Sequence, residues 1–326
     1  MNRSKLVTVL MIVCFLALAF TAKPGPVAAA KRHITIAAGW VTGVYFPLSG
    51  AISRILYKKS KDLRATVESS GASKANALAM RAGDVDFALL QNDVAYYAYT
   101  GTSLFKGVGK VPNIRGVMCI YPETIHIVQA RGVNAKSVAD LKGKKVAVGP
   151  LGSGTEFNTK QIMEIYGLSF DDLARAERLK AEEALDYLKD GRIDAGFFTT
   201  GVGNAGITNL AIEQKGIEFI PVPPSDVAKL KKKYPFYAAT VIPKDAYTGM
   251  KEDVQSATVL AMMAVRAEVE DELVYNLLSS VFENINMFYS AHKMARNLTL
   301  ESALDGMPIP LHPGAERFFR EKGVLK

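Results

Sequence analysis

The chain has 326 residues and a formal net charge of +8, from 40 lysine and arginine residues against 32 aspartate and glutamate residues. A charge this small does not indicate a nucleic-acid or lipid-surface partner. The densest basic run, Lys229–Lys233, is interpreted as the solvated face of a helix. The length has room for one large or two medium domains with proper cores.

The first thirty residues have the pattern of a secretory signal peptide. Arg3 and Lys5 precede an apolar stretch over residues 6–20, and small residues close the segment at Ala30. The stretch is shorter than the roughly 20 apolar residues of a membrane-spanning helix. We therefore expect residues 1–30 to be a signal peptide and the mature protein to be periplasmic and soluble.

The two cysteines bear on anchoring and stability. Cys14 lacks the small residue that precedes a lipid-modified cysteine, so no lipid anchor is expected. Removal of the signal peptide leaves Cys119 without a partner for an internal disulfide. Stability must then come from packing.

Short β-branched runs alternate with helical patterns, which predicts an α/β fold with largely parallel sheets. The candidate strands are His33–Ala38, Phe87–Gln91, Arg115–Ile120, Ile125–Ala130, Lys145–Gly149 and Ala195–Thr199. The candidate helices, with apolar residues every three or four positions, are Phe46–Tyr57, Lys74–Ala82, Phe157–Tyr166 and Ala181–Lys189. Residues 270–294 are predicted to be mostly helical.

Two segments repeat the same order of elements. Residues 34–46 and 145–157 each run from a strand through a Gly-rich loop into a helix. A helix end, a Gly turn and a strand start recur at residues 81–87 and 189–195. Two lobes on one β-α-β plan are the simplest explanation, although chance likeness between two such units is the alternative.

The two Gly-rich loops, Gly39–Tyr45 and Gly149–Glu156, are the candidate ligand site. Small molecules bind at the carboxyl ends of parallel strands, where loops lead into helix N-termini. Glycines admit backbone N–H groups, and helix N-termini carry partial positive charge, so the loops suit an anion. Thr42, Ser153 and Thr155 add hydroxyls that either cap the helices or bond the ligand.

The sequence lacks the residue patterns of a nucleotide-binding phosphate loop, a metal site and a catalytic site. Gly149 and Gly154 have the spacing of a phosphate loop, but Thr155-Glu156 stands where Lys-Ser/Thr is required. The four histidines have no metal-ligand spacing, and no catalytic constellation is visible. We expect no cofactor, no metal and no enzymatic activity.

An ordered set of motifs spans nearly the whole mature chain. The motifs are Thr42-Gly43-Val44-Tyr45-Phe46-Pro47, Ser73 with Asn76, Gly83-x-x-Asp86, Gln91-x-Asp93, Tyr121-Pro122-Glu123, Val138-x-Asp140-Leu141-Lys142-Gly143, Gly152-Ser153-Gly154-Thr155, Ile242-Pro243 and His312-Pro313-Gly314. The set resembles the TAXI family, the solute receptors of a subset of tripartite ATP-independent periplasmic (TRAP) transporters.

That resemblance implies a two-lobed type II periplasmic-binding-protein fold with a hinge between the lobes. Lobe 1 would comprise residues 31–120 and 245–326, and lobe 2 residues 121–244. The ligand would be glutamate, 2-oxoglutarate or a similar small carboxylate, captured between the lobes and passed to a membrane permease. The protein is expected to act as a monomer.

The ligand contacts expected from the loops and the resemblance lie in both lobes. They are Gly39, Thr42, Gly43, Tyr45, Ser73, Asn76, Gln91, Asp93, Tyr121, Glu123, Ser153, Gly154, Thr155, Thr199, Thr200 and Asn204. Neither Gly-rich loop contains an arginine, so anion binding would depend on helix N-termini, amides and hydroxyls.

Two questions stay open at the level of sequence. Asp93, Glu123 and Glu156 either meet an ammonium group of the ligand or are structural. The alternative function is a ligand sensor that presents its closed form to a membrane receptor, and a secreted enzyme is a third hypothesis without visible catalytic residues.

Overall fold

The computed structural model describes residues 32–61 and 63–325, so the predicted signal peptide lies outside the described residues. Ten strands lie in these ranges: β1 (Arg32–Ala37), β2 (Leu63–Glu68), β3 (Phe87–Gln91), β4 (Ile114–Gln129), β5 (Lys145–Ala147), β6 (Arg175–Glu177), β7 (Ala195–Thr200), β8 (Glu218–Phe219), β9 (Ala238–Ile242) and β10 (Val254–Arg266).

The α-helices of the same ranges lie between and after the strands. They are α1 (Tyr45–Lys59), α2 (Ser73–Ala82), α3 (Asn92–Thr100), α4 (Gly154–Ile165), α5 (Ala181–Lys189), α6 (Ala205–Glu213), α7 (Pro224–Lys233), α8 (Asp271–Glu283), α9 (Ile285–Tyr289) and α10 (Pro313–Glu321). Within the described residues, no helix is both long and apolar enough to cross a membrane.

The strands form one mixed sheet in the order β2-β1-β3-β10-β4-β7-β5-β6, with β8 on β4 and β9 on β10. Strands β1, β2 and β3 are parallel and form the first sheet half. Strands β5, β6 and β7 are also parallel and form the second sheet half. Between the halves, β4 and β10 run antiparallel to each other and to their neighbours. The carboxyl ends of both parallel sets therefore face the centre of the molecule.

Strand β4 corrects the prediction of two separate strands at residues 115–120 and 125–130. It is a single strand of 16 residues, with Pro122 in its middle. Proline removes one N–H from a strand ladder. Opposite it, the Leu260 N–H donates to Asn92 Oδ1 at 3.1 Å, so a side chain from α3 takes over one backbone donor. Strand β10 was not predicted.

The predicted helices are present, with small differences at their ends. Helix α1 buries Leu48, Ile52 and Ile55 on one face, which is the spacing that predicted it. Burying each such side chain stabilises the fold by about 1.5–3 kcal/mol. Helix α4 begins at Gly154, three residues before the predicted start, because the Ser153 side chain caps it by accepting from the Glu156 N–H at 3.1 Å.

The buried apolar side chains form separate clusters on the two sheet halves. Leu48, Phe87 and Phe318 belong to a cluster of the first half, whereas Ile162 and Phe197 belong to one of the second half. Two separate cores joined by β4 and β10 fit two lobes. The boundaries near residues 120 and 245 remain predictions.

Candidate functional site

A small cavity of about 20 Å³ lies where the two sheet halves meet. Its wall contains residues of both Gly-rich loops, of β4 and of the ends of β3 and β7. The lining residues are Gly39, Trp40, Gly43, Val44, Tyr45, Ala72, Ser73, Gln91, Tyr121, Glu123, Gly154, Thr155, Thr199 and Thr200. Eleven of the sixteen predicted contacts are among them, although whether they touch a ligand remains a prediction.

Four helices begin at this cavity. Tyr45, Ser73 and Gly154 are the first residues of α1, α2 and α4, and Gln91 immediately precedes α3. The residues before α1 and α2 make no side-chain cap, so the first N–H groups of these helices have no side-chain acceptor there. The partial positive charge of helix starts favours an anion. The free donors are those of α1 and α2, because the first N–H groups of α3 and α4 already donate to side chains.

Ala72 enters α2 through a rare backbone conformation. Its φ of 67° and ψ of −151° lie in a region that residues with a Cβ seldom adopt. The Ala72 N–H donates to Ser70 Oγ at 3.1 Å, and the Ala72 carbonyl accepts from the Asn76 N–H at 2.9 Å. These bonds hold a strained turn, at a cost of about 1–3 kcal/mol, in the wall of the cavity.

Glu123 places a carboxyl group in the wall. Its Oε2 accepts from the Tyr45 hydroxyl at 2.9 Å, and its Oε1 accepts from the Tyr121 hydroxyl at 3.1 Å. Burial raises the pKa of Glu123 to about 8, against the two tyrosine hydrogen bonds that lower it. Burial likewise raises the pKa of both tyrosines well above the ordinary value.

A buried polar network joins the two sheet halves beside the cavity. Asn158 Nδ2 donates to Asp93 Oδ2 at 3.1 Å and to the Tyr237 hydroxyl at 2.6 Å. Asn158 Oδ1 accepts from Gln91 Nε2 and from the Thr199 hydroxyl, each at 3.1 Å. Every hydrogen-bonding position of this amide is thus used, which fixes its orientation. Burial raises the pKa of Asp93 to about 6.

Five predicted contacts lie outside the cavity wall. Asn76 donates to the carbonyls of Ala38 and Leu89, which holds the ends of β1 and β3 together. Asp93 belongs to the network around Asn158, and Ser153 caps α4.

The remaining two, Thr42 and Asn204, lie at the edge of the cleft. The Thr42 hydroxyl donates to Glu182 Oε1 at 2.9 Å, and Asn204 Nδ2 donates to the Thr42 carbonyl at 3.1 Å. Asn204 also caps α6 by accepting from the Ile207 N–H. Both contacts connect the first Gly-rich loop to the second sheet half, so they hold the cleft shut.

Glu156 is a structural residue in this arrangement. Its Oε1 accepts from Arg178 Nε and its Oε2 from the Gly152 N–H, both at 2.6 Å. The side chain therefore stabilises the second Gly-rich loop and does not line the cavity. Among the described residues, no group of three or more His, Cys, Asp or Glu side chains could hold a metal ion.

Sequence reasoning missed Asn158, Tyr237 and Ala72. Asn158 follows Gly154 by four positions, so it lies on the same face of α4, and this spacing is the signal that could have found it. The Trp40 indole Nε1 is buried and has no hydrogen-bond partner among the described residues, although the ring lines the cavity.

Comparison with known proteins finds one matching family and several similar solved structures. The model of the NMT1-like family matches residues 36–323. The alkanesulfonate-binding protein SsuA from Xanthomonas axonopodis pv. citri, solved with MOPS, is 15% identical, with a TM-score of 0.50 over 90% of this chain and 85% of that chain. PhnD1 from Prochlorococcus marinus, solved with methylphosphonate, is 12% identical, with a TM-score of 0.54 over 90% of this chain and 99% of that chain.

These findings confirm the predicted type II periplasmic-binding-protein fold. The matched family and its structural neighbours are substrate-binding proteins, so the expectation of a binding protein rather than an enzyme is also confirmed. The resemblance to TAXI receptors is wrong: the matching family is NMT1-like, and the neighbours are sulfonate- and phosphonate-binding proteins. The comparisons therefore do not support a TRAP permease as the partner or a carboxylate as the ligand.

Proposed function

Because this chain belongs to the NMT1-like family, we propose that it is a periplasmic solute-binding protein that closes over a small anionic solute and delivers it to a membrane transporter. The observation that carries the proposal is the cavity at which α1, α2, α3 and α4 begin. Phosphonates and sulfonates are the proposed solute classes, in line with the ligands named for the two structural neighbours.

The wall chemistry supports an anionic head group held without a cationic side chain. The lining residues include no lysine, arginine or histidine. Backbone N–H groups at helix starts and the hydroxyls of Ser73, Thr155 and Thr200 are the available donors. A tetrahedral head group accepts hydrogen bonds in several directions, which suits donors that approach from α1, α2 and the wall hydroxyls.

Closure is the proposed mechanism. The wall takes Ser73 and Gln91 from the first sheet half and Gly154 and Thr199 from the second, so one solute contacts both. Contacts available only when the halves meet stabilise the closed state, and the transporter would recognise that state. Strands β4 and β10 are the proposed hinge, because they connect the two cores.

A thermal-shift screen of the ligand-stripped protein tests the proposal. The panel contains methylphosphonate, ethylphosphonate, 2-aminoethylphosphonate, ethanesulfonate and taurine, with carboxylates and neutral alcohols for comparison. A ligand at a hundred times its Kd adds about 2.7 kcal/mol to the free energy of unfolding. We expect a saturable rise in Tm with at least one phosphonate or sulfonate.

Trp40 supplies a second readout on the same samples. It is the only tryptophan of the chain and it lines the cavity, so its emission should change with the same half-saturation as Tm. A rise in Tm without any change in emission would place the solute elsewhere. No response to any phosphonate or sulfonate would contradict the proposed solute classes.

A further inference from the structure

We propose that the solute is a zwitterion, with a primary ammonium group bound at Glu123 and Gln91 and an anionic group bound at the helix starts. Aminophosphonates and aminosulfonates have this chemistry. The inference deepens the proposed function and rests on it. It concerns the part of the solute that would bind away from the helix N-termini.

Glu123 is an acidic residue, and the residues that line the cavity with it include no basic side chain. It is 3% exposed, and both of its carboxyl oxygens accept hydrogen bonds from phenol groups. The charged group that acts on it most is Asp93, a second carboxyl, which raises the pKa of Glu123 further. No lysine, arginine or histidine lines the cavity. Without a counter-charge, burial keeps a proton on this carboxyl by raising its pKa, and an ammonium group of the solute would stabilise the ionised form.

The hydrogen bonds of Glu123 favour the ionised form. An ionised carboxylate only accepts hydrogen bonds, and a protonated carboxyl must also donate one. Tyr45 and Tyr121 each donate to a different oxygen of Glu123, which is the pattern expected around a carboxylate.

Gln91 offers a second acceptor beside Glu123. Its Nε2 is committed to Asn158 Oδ1, whose orientation is fixed by the bonds of Asn158 to Asp93 and Tyr237. Gln91 Oε1 is buried and has no hydrogen-bond partner among the described residues. The Gln91 amide also lies close enough to Glu123 to lower its pKa. A buried acceptor left unpaired is costly, so Gln91 Oε1 is an acceptor beside Glu123 that still needs a donor.

An ammonium group matches this pair, because it carries three N–H donors and a positive charge. A neutral donor such as a hydroxyl would pair one acceptor, but it would not stabilise the ionised form of Glu123 as a cation does. The cavity is small, so a solute that is enclosed when the halves close has few heavy atoms. The ammonium and the anionic group are therefore separated by a short linker.

Matched ligand pairs test the inference. Binding of 2-aminoethylphosphonate and ethylphosphonate, and of taurine and ethanesulfonate, is measured by isothermal titration calorimetry at pH 7.5 in two buffers of different ionisation enthalpy. We expect the amino member of a pair to bind about ten to a hundred times more tightly, the size of a charge-assisted hydrogen bond. Its binding should release protons, because the pKa of Glu123 falls from about 8 when an ammonium group arrives.

Glu123→Gln should reduce the preference for the amino member to near one. Glu156→Gln is the matched control, because that carboxyl is bonded to Arg178 outside the wall, and it should leave the preference unchanged. Tighter binding of the amino-free member, or proton uptake on binding, would overturn the zwitterion and leave the proposed function standing. Failure of all four compounds would contradict the proposed solute classes themselves, and the inference with them.

Discussion

The contact between α4 and Gln91 gives a sharp test of closure. A Cβ added at Gly154 would lie 1.8 Å from Gln91 Oε1 and 2.5 Å from Gln91 Cδ. Gln91 is 3% exposed, and its amide is held by Asn158 at 3.1 Å. In Gly154→Ala the amide must therefore leave Asn158, or the two sheet halves must stay apart.

The expected cost follows from these contacts. Inserting one methyl group into a packed site typically costs about 1–3 kcal/mol, and the lost hydrogen bond to Asn158 falls within the same range. Since the clash exists only when the halves meet, the cost should appear in solute binding. We expect Gly154→Ala to weaken binding by about 5- to 150-fold, measured by calorimetry with the tightest phosphonate of the screen, and to change the Tm of the ligand-free protein by little.

Gly50→Ala is the control, because it is expected to raise stability and leave solute binding unchanged. Gly50 lies inside α1, and a Cβ there would meet no atom within 4 Å. Alanine is favoured over glycine inside a helix by about 0.5–1 kcal/mol, so this variant should unfold at a higher temperature and bind the solute normally. Unchanged affinity in Gly154→Ala would refute the closure contact, because a methyl group cannot occupy the position of Gln91.

Three further outcomes are expected. Asn158→Ala leaves Asp93 and Tyr237 without a buried donor and should lower the free energy of unfolding of the solute-bound protein by about 1–3 kcal/mol in urea titrations. Burial raises the pKa of Glu123 from 4.5 to about 8, so the folded state holds a proton that the unfolded chain releases, and stability falls as pH rises through this window. Glu123→Gln should remove that fall, which amounts to several kcal/mol at about 1.4 kcal/mol for each tenfold change in proton affinity, measured by unfolding at pH 5 and pH 9. Tyr45→Phe removes a hydrogen bond that lowers the pKa of Glu123, so proton release on binding of 2-aminoethylphosphonate should increase at pH 7.5.

The alternation of strands and helices was readable from the sequence because local spacing carries it. Strand β10 was not, since Ala261, Met262, Met263 and Ala264 are residues with a preference for helices, and the strand is stable because it is buried between β3 and β4. The two Gly-rich loops were identified because they directly follow strands. Asn158 was missed because its importance comes from Asp93 and Tyr237, which are 65 and 79 positions away.

The family resemblance failed for a physical reason. The motif around Asp140, Leu141 and Gly143 is a local structural device: Asp140 Oδ2 accepts the N–H groups of Lys136 and Ser137, and Gly143 has a φ of 71°. Such a capped turn is useful wherever a short helix precedes a strand. It indicates the fold and does not separate one family of binding proteins from another.

The central pair of strands also bears on how such proteins diversify. Thr124 of β4 and Thr258 of β10 lie opposite each other, and the chain between them builds the second sheet half as one continuous segment. The two ends of that segment are therefore side by side on adjacent strands. A single genetic exchange between these two positions would replace the part of the cavity wall that contains Gly154, Thr155 and Thr199, and leave Glu123 and the first Gly-rich loop in place. Exchange of this segment would therefore change the contacts to one end of the solute and leave the contacts to the other end unchanged.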